Sequence, residues 1–248
     1  MKVISVLLCM AVLMSVVACG SSVSNESNGM TADEILSNCH NASNSMNTVQ
    51  IHEIYTTNRL WFSGSGDTSA LIDNLNHSAY TVAYDSAFPN ESMEVYALDE
   101  WLYTRNSTEE WIKTQLTEDI WNSIYGSPQQ QLLVTLQNYT QASYISMESV
   151  DGTNCYKIDI TPTESQMNAL GLSGLTIKIP TFNAWIAENN YYLMKLSFNL
   201  TISDGEWLSE ILTYSNINQP VNITLPAAAE NAEALSATEW MEESWRWQ

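Results

Sequence analysis

The clearest pattern along the chain is an alternation of apolar and polar residues near its C-terminal end. In Tyr191–Ser203 one side is apolar, and its members are Met194, Leu196, Phe198, Leu200 and Ile202. A period of two predicts a β-strand with one buried face and one hydrated face. Similar alternation predicts strands at Ser143–Val150, Asn154–Ile160, Thr181–Ala187 and Glu206–Ser215. Asp151-Gly152 and Asp204-Gly205 are typical of tight hairpin turns between such strands.

The first half of the chain carries the same signal in shorter pieces. It predicts strands at Val49–Thr56, Arg59–Ser63, Tyr80–Tyr84, Met93–Leu98, Trp101–Arg105 and Trp111–Thr114. Turn-forming residues separate these strands at Gly64–Asp67, Asp73–Asn76, Asp99-Glu100 and Asn106–Glu109. Short strands in such quick succession favour an antiparallel meander.

Helical periodicity is confined to a few short segments. Thr31 and Glu34 have the spacing of a capping box, and a narrow apolar stripe follows at Ile35, Cys39, Ala42 and Met46. A narrow stripe predicts a helix that rests against a sheet. Further short helices are predicted after Thr117, after Ser127-Pro128 with Leu132, Leu133 and Leu136 on the apolar side, and at Glu164–Ala169.

The N-terminal residues have the pattern of an export signal. Lys2 precedes an apolar run, Val3–Val17, which is shorter than the about 20 residues that span a membrane. The run leads into Ala18-Cys19-Gly20 and resembles a lipobox, the cleavage and lipidation signal of prokaryotic lipoproteins. The resemblance implies that residues 1–18 are removed, that Cys19 carries a lipid, and that residues 19–30 are a flexible tether. The alternative is a plain secretory signal cleaved nearby, with Cys19 incidental.

Composition narrows the class of protein. The chain holds 8 Lys and Arg against 28 Asp and Glu, and its net charge moves from −20 to −21 when Lys2 leaves with the signal. This acidity excludes a nucleic-acid partner, because phosphate backbones are bound through clustered Lys and Arg. Nine tryptophans and an apolar fraction of 45% supply the core of a folded domain, expected at residues 31–234.

An exported location makes glycosylation and disulfide formation chemically available. Eight Asn-X-Ser/Thr sequons are candidate acceptor sites, at Asn25, Asn41, Asn76, Asn90, Asn106, Asn138, Asn199 and Asn222. Cys39 and Cys155 are the cysteines left after the signal and the anchor. Two interpretations of this pair stay open: a disulfide between them, or two buried thiols.

The search for catalytic and metal-binding patterns is mostly negative. Gly171–Leu175 lacks the closing glycine of a nucleophile elbow, and His52-Glu53 lacks the second histidine of a zincin motif. No phosphate loop or dinucleotide fingerprint occurs, and the three histidines are dispersed. We therefore assign no catalytic residue, metal or cofactor and predict a protein that is not an enzyme. The carboxylates are expected to form a solvated anionic surface.

The order of the elements resembles a known family of lipoproteins. The resemblance is carried by the helix Ala32–Met46, the hairpins of Glu100–Leu116, the strands around Gly152–Tyr156 and Trp185-Ile186, Lys195, and the closing Asn218–Pro226. From Thr31 to Ala234 the chain is similar to the lipoprotein-sorting superfamily, which includes LolA, LolB and the mycobacterial LppX and LprG. The resemblance implies an α+β fold, a strongly curved antiparallel sheet forming an unclosed half-barrel, with helices covering its concave face.

The same resemblance implies an apolar cavity between sheet and helices that holds acyl chains. The residues expected to line it are Met194, Leu196, Phe198, Leu200, Ile202, Leu132 and Leu136. The alternative is that these side chains pack closely into a solid core, as most apolar faces do.

Residues 235–248 form an acidic tail that is rich in tryptophan. Trp240, Trp245 and Trp247 are a candidate lid over the cavity mouth. Docking of these rings on the domain is the favoured alternative, and placement at a membrane interface is a third. The acidic residues of the tail oppose binding to anionic lipid.

These features together predict a lipoprotein held at the outer face of the cell membrane by lipid on Cys19. It is expected to bind or present a lipid or acyl chain without catalysis. The alternative is a cell-surface interaction or envelope-structural lipoprotein that has no small-molecule ligand.

Overall fold

In the part of the chain that the computed structural model describes, twelve β-strands form one continuous sheet. The structure describes residues 29–59, 62–86, 92–106, 109–125, 139–163, 182–201 and 205–246. Strands account for most of these residues, and helices are few. Within these ranges, no helix combines the length and the apolar character that crossing a bilayer requires.

The described strands and helices occur in nearly the order that the sequence predicted. The strands are β1 Thr48–Arg59, β2 Phe62–Asp73, β3 Ser78–Asp85, β4 Ser92–Leu98, β5 Trp101–Asn106, β6 Ile112–Gln115, β7 Tyr139–Val150, β8 Thr153–Pro162, β9 Phe182–Ala187, β10 Leu193–Thr201, β11 Trp207–Ser215 and β12 Glu233–Ala234. The helices are α1 Ala32–Ser43, α2 Glu118–Ile124 and α3 Ala237–Arg246, and a 3₁₀ turn lies at Ala227–Ala229. The helices predicted after Ser127 and at Glu164–Ala169 lie outside the described residues.

Side-chain caps explain where the first two helices begin. The backbone N–H of Glu34 donates to Thr31 Oγ1 at 3.2 Å, and the N–H of Thr31 donates to Glu34 Oε2 at 2.8 Å. This reciprocal pair is the capping box that the sequence predicted. In the same way, the N–H of Ile120 donates to Thr117 Oγ1 at 3.2 Å and starts α2.

The sheet consists of two meanders joined by one long-range pairing. Its strand order is β12-β6-β5-β4-β3-β2-β1-β11-β10-β9-β8-β7, so β1 lies beside both β2 and β11. The end strands β12 and β7 do not pair with each other, so the curved sheet is not closed into a barrel. This agrees with the predicted unclosed half-barrel. The expectation of a purely antiparallel sheet is wrong at one edge, because β12 adds to β6 in parallel. The sheet is therefore mixed.

The two faces of the sheet have different partners. The inner face, as we name it, carries the main core cluster, in which strand residues such as Ile158, Leu196 and Leu212 pack with Ile35 and Cys39 of α1. The outer face carries two smaller clusters, one around Trp111 and one around Trp185. In the described part of the chain, the buried apolar surface is therefore concentrated on the inner face, where α1 packs.

One predicted turn is wrong because a glycine has another role. Gly64–Asp67 lies inside β2, and β1 and β2 pair without interruption from Thr48 to Arg59. Gly66 pairs with Tyr55 in this ladder, and a Cβ at position 66 would lie 2.1 Å from the Tyr55 ring. The glycine thus permits the tyrosine ring to lie flat over the neighbouring strand.

After β11 the chain crosses the outer face and then turns around the sheet edge. Residues 216–232, which we call the strap, bring Ile223, Leu225, Ala229 and Ala232 against the aromatic cluster of β3 to β6. The strap leads into β12, and the N–H of Leu235 donates to the Lys113 carbonyl at 2.8 Å. Ser236 and Glu239 then form a capping box that begins α3.

Helix α3 reaches the inner face from this edge. Trp240 packs against the main core cluster, and its indole N–H donates to Thr104 Oγ1 at 2.9 Å. Successive residues of a strand point to opposite faces of the sheet. Tyr103 points to the outer face, so Thr104 points to the inner face. Docking of the tail on the domain is thus observed for Trp240. Trp247 and the side chain of Trp245 lie outside the described part.

Candidate functional site

The inner face offers a continuous apolar surface across five neighbouring strands. On β8 to β10 its fully buried side chains include Ile158, Ile160, Phe182, Ile186, Leu193, Leu196 and Leu200, and β11 adds the buried Leu212 and Tyr214. On β7 it continues through Ala142 and the partly buried Tyr144. The rings of Phe182 and Phe198 are in contact at a tilt of 43°, with centroids 4.9 Å apart. Burial of apolar area of this kind contributes about 25 cal/mol per Å², whether it packs against other side chains or against an apolar ligand.

The predicted lining residues divide into three groups. Leu196, Phe198 and Leu200 lie on the inner face, as expected. Met194 was expected beside them and packs on the outer face with Trp185, because a register shift between Leu193 and Lys195 moves it across the sheet. Ile202, Leu132 and Leu136 lie outside the described residues.

Two acidic side chains interrupt the apolar inner face where the two meanders meet. Glu53 on β1 pairs with Leu212, and Glu210 on β11 pairs with Tyr55, so the two glutamates are diagonal neighbours on one face. Diagonal neighbours are about 7 Å apart, within reach of long side chains. Glu210 is only 4% exposed, whereas Glu53 is half-buried.

Burial holds both carboxyls toward their neutral forms. Desolvation raises the pKa of Glu53 from 4.5 to about 7. Desolvation raises the pKa of Glu210 well above its usual range, and the charge of Glu53 raises it further. No described residue forms a hydrogen bond or ion pair with either carboxyl. The pair therefore resists full ionisation at neutral pH.

Two tyrosines border this acidic pair in different ways. The Tyr55 hydroxyl donates to Asp85 Oδ2 at 2.9 Å across the glycine of β2. Tyr214 is fully buried, and its hydroxyl has no hydrogen-bond partner among the described residues. Burial and the charges of Glu210 and Glu53 raise the pKa of Tyr214 far above its usual value. An unpartnered buried hydroxyl costs about 1–3 kcal/mol, so the fold tolerates an unfavourable polar group here.

The basic side chains that the structure describes all lie on the other face. Arg105 lies 4.8 Å from the centre of the Trp111 ring, and Lys113 lies 5.0 Å from that of Trp101. On the second outer cluster, Lys157 and Lys195 lie 5.1 and 4.7 Å from the centre of Trp185. None of these four side chains is therefore a partner of the acidic pair on the inner face.

Cys39 and Cys155 are free thiols. Of the two interpretations, the structure therefore has the two buried thiols and not the disulfide. Cys39 packs in the inner-face cluster, and Cys155 packs beside Trp185 on the outer face. The sheet lies between the two sulfurs and prevents a bridge. Burial raises the pKa of Cys39 to about 12 and that of Cys155 to about 11, which makes both thiols poor nucleophiles.

The sequons differ in exposure. Asn41, Asn76, Asn199 and Asn222 are exposed, as a glycan acceptor must be. Asn106 is only 6% exposed. Asn25, Asn90 and Asn138 lie outside the described residues.

Sequence reasoning did not single out the acidic pair. All carboxylates were expected on a solvated surface, and this is wrong for Glu210. A usable signal existed in β1, where Glu53 occupies the apolar phase of the alternation set by Val49, Ile51 and Tyr55. In β11 the signal was weaker, because apolar residues occur on both phases of that strand. No group of three or more His, Cys, Asp or Glu side chains with metal-binding geometry occurs among the described residues.

Two solved structures share this fold. LprF from Mycobacterium bovis is 20% identical with a TM-score of 0.55, and the match covers 79% of this chain and 97% of LprF. The lipoprotein LppX from Mycobacterium tuberculosis is 17% identical with a TM-score of 0.54, covering 78% of this chain and 98% of LppX. The resemblance to the LppX group is thereby confirmed at the level of the fold.

Another solved structure matches this chain less well. A LolA superfamily protein from Nitrosomonas europaea matches 79% of this chain and 96% of its own, at 13% identity and a TM-score of 0.29. That similarity is too low to establish a shared fold. No protein-family model matches the sequence, and no curated protein matches it.

Proposed function

We propose that this chain, which has the LppX-like fold, is a non-catalytic lipoprotein that binds or presents a lipid or acyl chain. The observation that carries the proposal is the continuous apolar inner face from β7 to β11. Binding of this kind requires shape and apolar area, and it requires no catalytic or metal-binding group.

The cavity in this proposal lies between the inner face, taken as the concave side, and the helices. Helix α1 covers part of that face through Ile35, Leu36 and Cys39. The segment with Leu132 and Leu136 would complete the cover. Trp240 already docks at the β6 edge, and we assign the tail as the lid that opens for the ligand.

The location in this proposal follows from the N-terminal sequence. Residues 1–18 are the signal, Cys19 carries the lipid, and residues 19–30 tether the domain outside the membrane. The similarity to a mycobacterial lipoprotein supports this location. Mass measurement of protein extracted from membranes should show a diacylglyceryl group on Cys19, and an unmodified Cys19 would refute the anchor.

Extraction of the purified mature protein with organic solvent, followed by mass spectrometry, tests the proposed activity. We expect a lipid or fatty acid that co-purifies in near-stoichiometric amount. The matched variants are Ala70→Trp, which adds bulk on the inner face of β2, and Ser69→Trp, which adds it on the outer face of the same strand. Only the inner-face variant should reduce the bound lipid while both remain folded.

The opposite outcome has a clear meaning. If neither lipid nor an apolar dye binds to the wild-type protein, ligand binding is refuted. The alternative of a surface interaction or envelope-structural lipoprotein would then be favoured.

A further inference from the structure

The Glu53–Glu210 pair is unusual because it lies within an apolar face on which no described lysine or arginine side chain lies. Glu210 is 4% exposed and directly borders Phe198 and Tyr55 in the strand ladder. Lone carboxylates in such surroundings are costly unless a proton or a cation neutralises them. The four lysine and arginine side chains that the structure describes lie on the outer face, so none of these four supplies that cation.

A second buried polar group points to the same place. Tyr214 pairs with Ile51, so it is the other diagonal neighbour of Glu53 on β11. Its hydroxyl is buried and unpartnered among the described residues. The strand register therefore places all three side chains at neighbouring positions of one face, and both carboxylates raise the pKa of this hydroxyl. Two carboxyls and a hydroxyl that has no partner among the described residues thus lie at neighbouring positions of one apolar face.

We propose that Glu53, Glu210 and Tyr214 bind the primary ammonium group of an amphiphile whose chain lies along the apolar inner face. The proposal rests on the proposed function, because it assigns a polar head group to the same ligand site. A primary ammonium has three N–H donors. Two carboxylates and one phenolic oxygen provide an acceptor for each of these three donors.

The half-buried side chain of Glu53 indicates where a ligand would enter this subsite. Glu53 keeps contact with solvent, whereas Glu210 and Tyr214 lie deeper on β11. An ammonium group approaching from the open side therefore meets Glu53 first. The net charge of −20 attracts a cationic ligand at longer range.

The apolar surroundings favour an amphiphile over a small polar amine. Leu212 pairs with Glu53, and Phe198 pairs with Glu210, so apolar groups adjoin both carboxyls. A chain attached to the ammonium group can extend from there over Leu196 and Leu200. A short amine gains only the polar contacts and loses this burial.

Calorimetric titration of the mature protein with decylamine, decyltrimethylammonium and 1-decanol tests the proposal. The three probes share one chain, but only decylamine carries both a charge and N–H donors. Propylamine serves as the short amine without a chain. We expect decylamine to bind about tenfold or more tightly than the other three probes, since a charge-assisted hydrogen bond is typically stronger than a neutral one.

Variants separate the subsite from general surface charge. Glu53→Gln combined with Glu210→Gln should remove the preference for decylamine while 1-decanol still binds. The charge-matched control combines Glu100→Gln with Glu109→Gln, two exposed residues in turns, and should keep the preference. Tyr214→Phe should weaken decylamine binding severalfold and leave 1-decanol unchanged.

The outcomes distinguish the two proposals. Equal binding of decylamine and 1-decanol by the wild type would overturn the ammonium subsite and leave the lipid-binding function intact. Equal loss of decylamine binding in the control variant would assign the effect to surface charge and would also overturn it. Tight binding of propylamine would overturn the amphiphile as ligand. Failure of every chain-bearing probe to bind would refute the proposed function itself.

Discussion

Replacing Glu53 by glutamine should change how the stability of the protein depends on pH. Burial raises the pKa of Glu53 from 4.5 to about 7. The folded state therefore keeps a proton that the unfolded chain releases as the pH rises between these values. Because the folded state binds more protons, stability is highest below pH 4.5 and is lost as the pH approaches 7.

The size of this effect follows from the pKa difference. Each pKa unit corresponds to about 1.4 kcal/mol, so the rise from 4.5 to about 7 costs the ionised wild type about 3 kcal/mol at pH 8. The free energy of unfolding of the variant should thus gain about 1.4 kcal/mol per pH unit relative to wild type between pH 5 and 7. A gain of about 3 kcal/mol raises the melting temperature of a domain this size by about 6–12 °C.

Urea denaturation at several pH values between 5 and 8 measures this difference directly. A constant offset between variant and wild type is expected from altered packing, and only the slope reports the carboxyl. Glu100→Gln is the control, because it removes an exposed carboxylate in the β4–β5 turn and should give a flat difference. Glu210→Gln should also give a rising difference, and it should continue above pH 7 because its carboxyl is more deeply buried.

Two results would refute this reasoning. A flat difference for Glu53→Gln would mean that the carboxyl is solvated and titrates as in the unfolded chain. A falling difference would mean that an unrecognised cation stabilises the ionised form. Glu148 on the outer face is an example of such a stabilised ionised form, because hydrogen bonds from Trp185 and Lys157 hold its pKa below its usual value.

Three further predictions concern the packing of the fold. Gly66→Ala should lower the free energy of unfolding by about 1–3 kcal/mol in chemical denaturation, because its Cβ would lie 2.1 Å from the ring of Tyr55; an unchanged stability would mean that the ring does not lie over β2. Deletion of residues 235–248 should lower stability by about 2–4 kcal/mol, since it removes the tryptophan docked at the β6 edge; an unchanged melting temperature with altered lipid uptake would limit the tail to a lid. Cys39 and Cys155 should resist thiol reagents in the folded protein and both react after denaturation without reductant, whereas a failure to react then would indicate a disulfide.

The fold was predictable where its determinants are local. Alternation of apolar and polar residues identified most of the strands, with β2 and β12 as the exceptions. The Asp151-Gly152 pair marked a hairpin in which both residues have positive φ. The capping box of α1 was readable for the same reason. Each of these signals lies within a few residues of the structure that it specifies.

The failures arise where distant residues decide. Met194 continues the apolar alternation in sequence, and only the pairing of β9 with β10 introduces the shift that moves it to the outer face. Glu53 stands out on its own strand, but nothing local indicates that Glu210 will lie next to it. The positions of Cys39 and Cys155 on opposite faces likewise depend on how α1 docks on the sheet.

The pairing of β1 with β11 has a consequence for how the molecule assembles. It brings together residues as far apart in sequence as Thr57 and Trp207, whose contact spans 150 positions. Contacts of such separation form late, because closing a long loop costs entropy before any contact compensates for it. During synthesis at the ribosome, the first meander must therefore wait with one side of β1 unpaired. The acidic pair comes into existence only when this last seam closes, so its protonation state reports on complete folding.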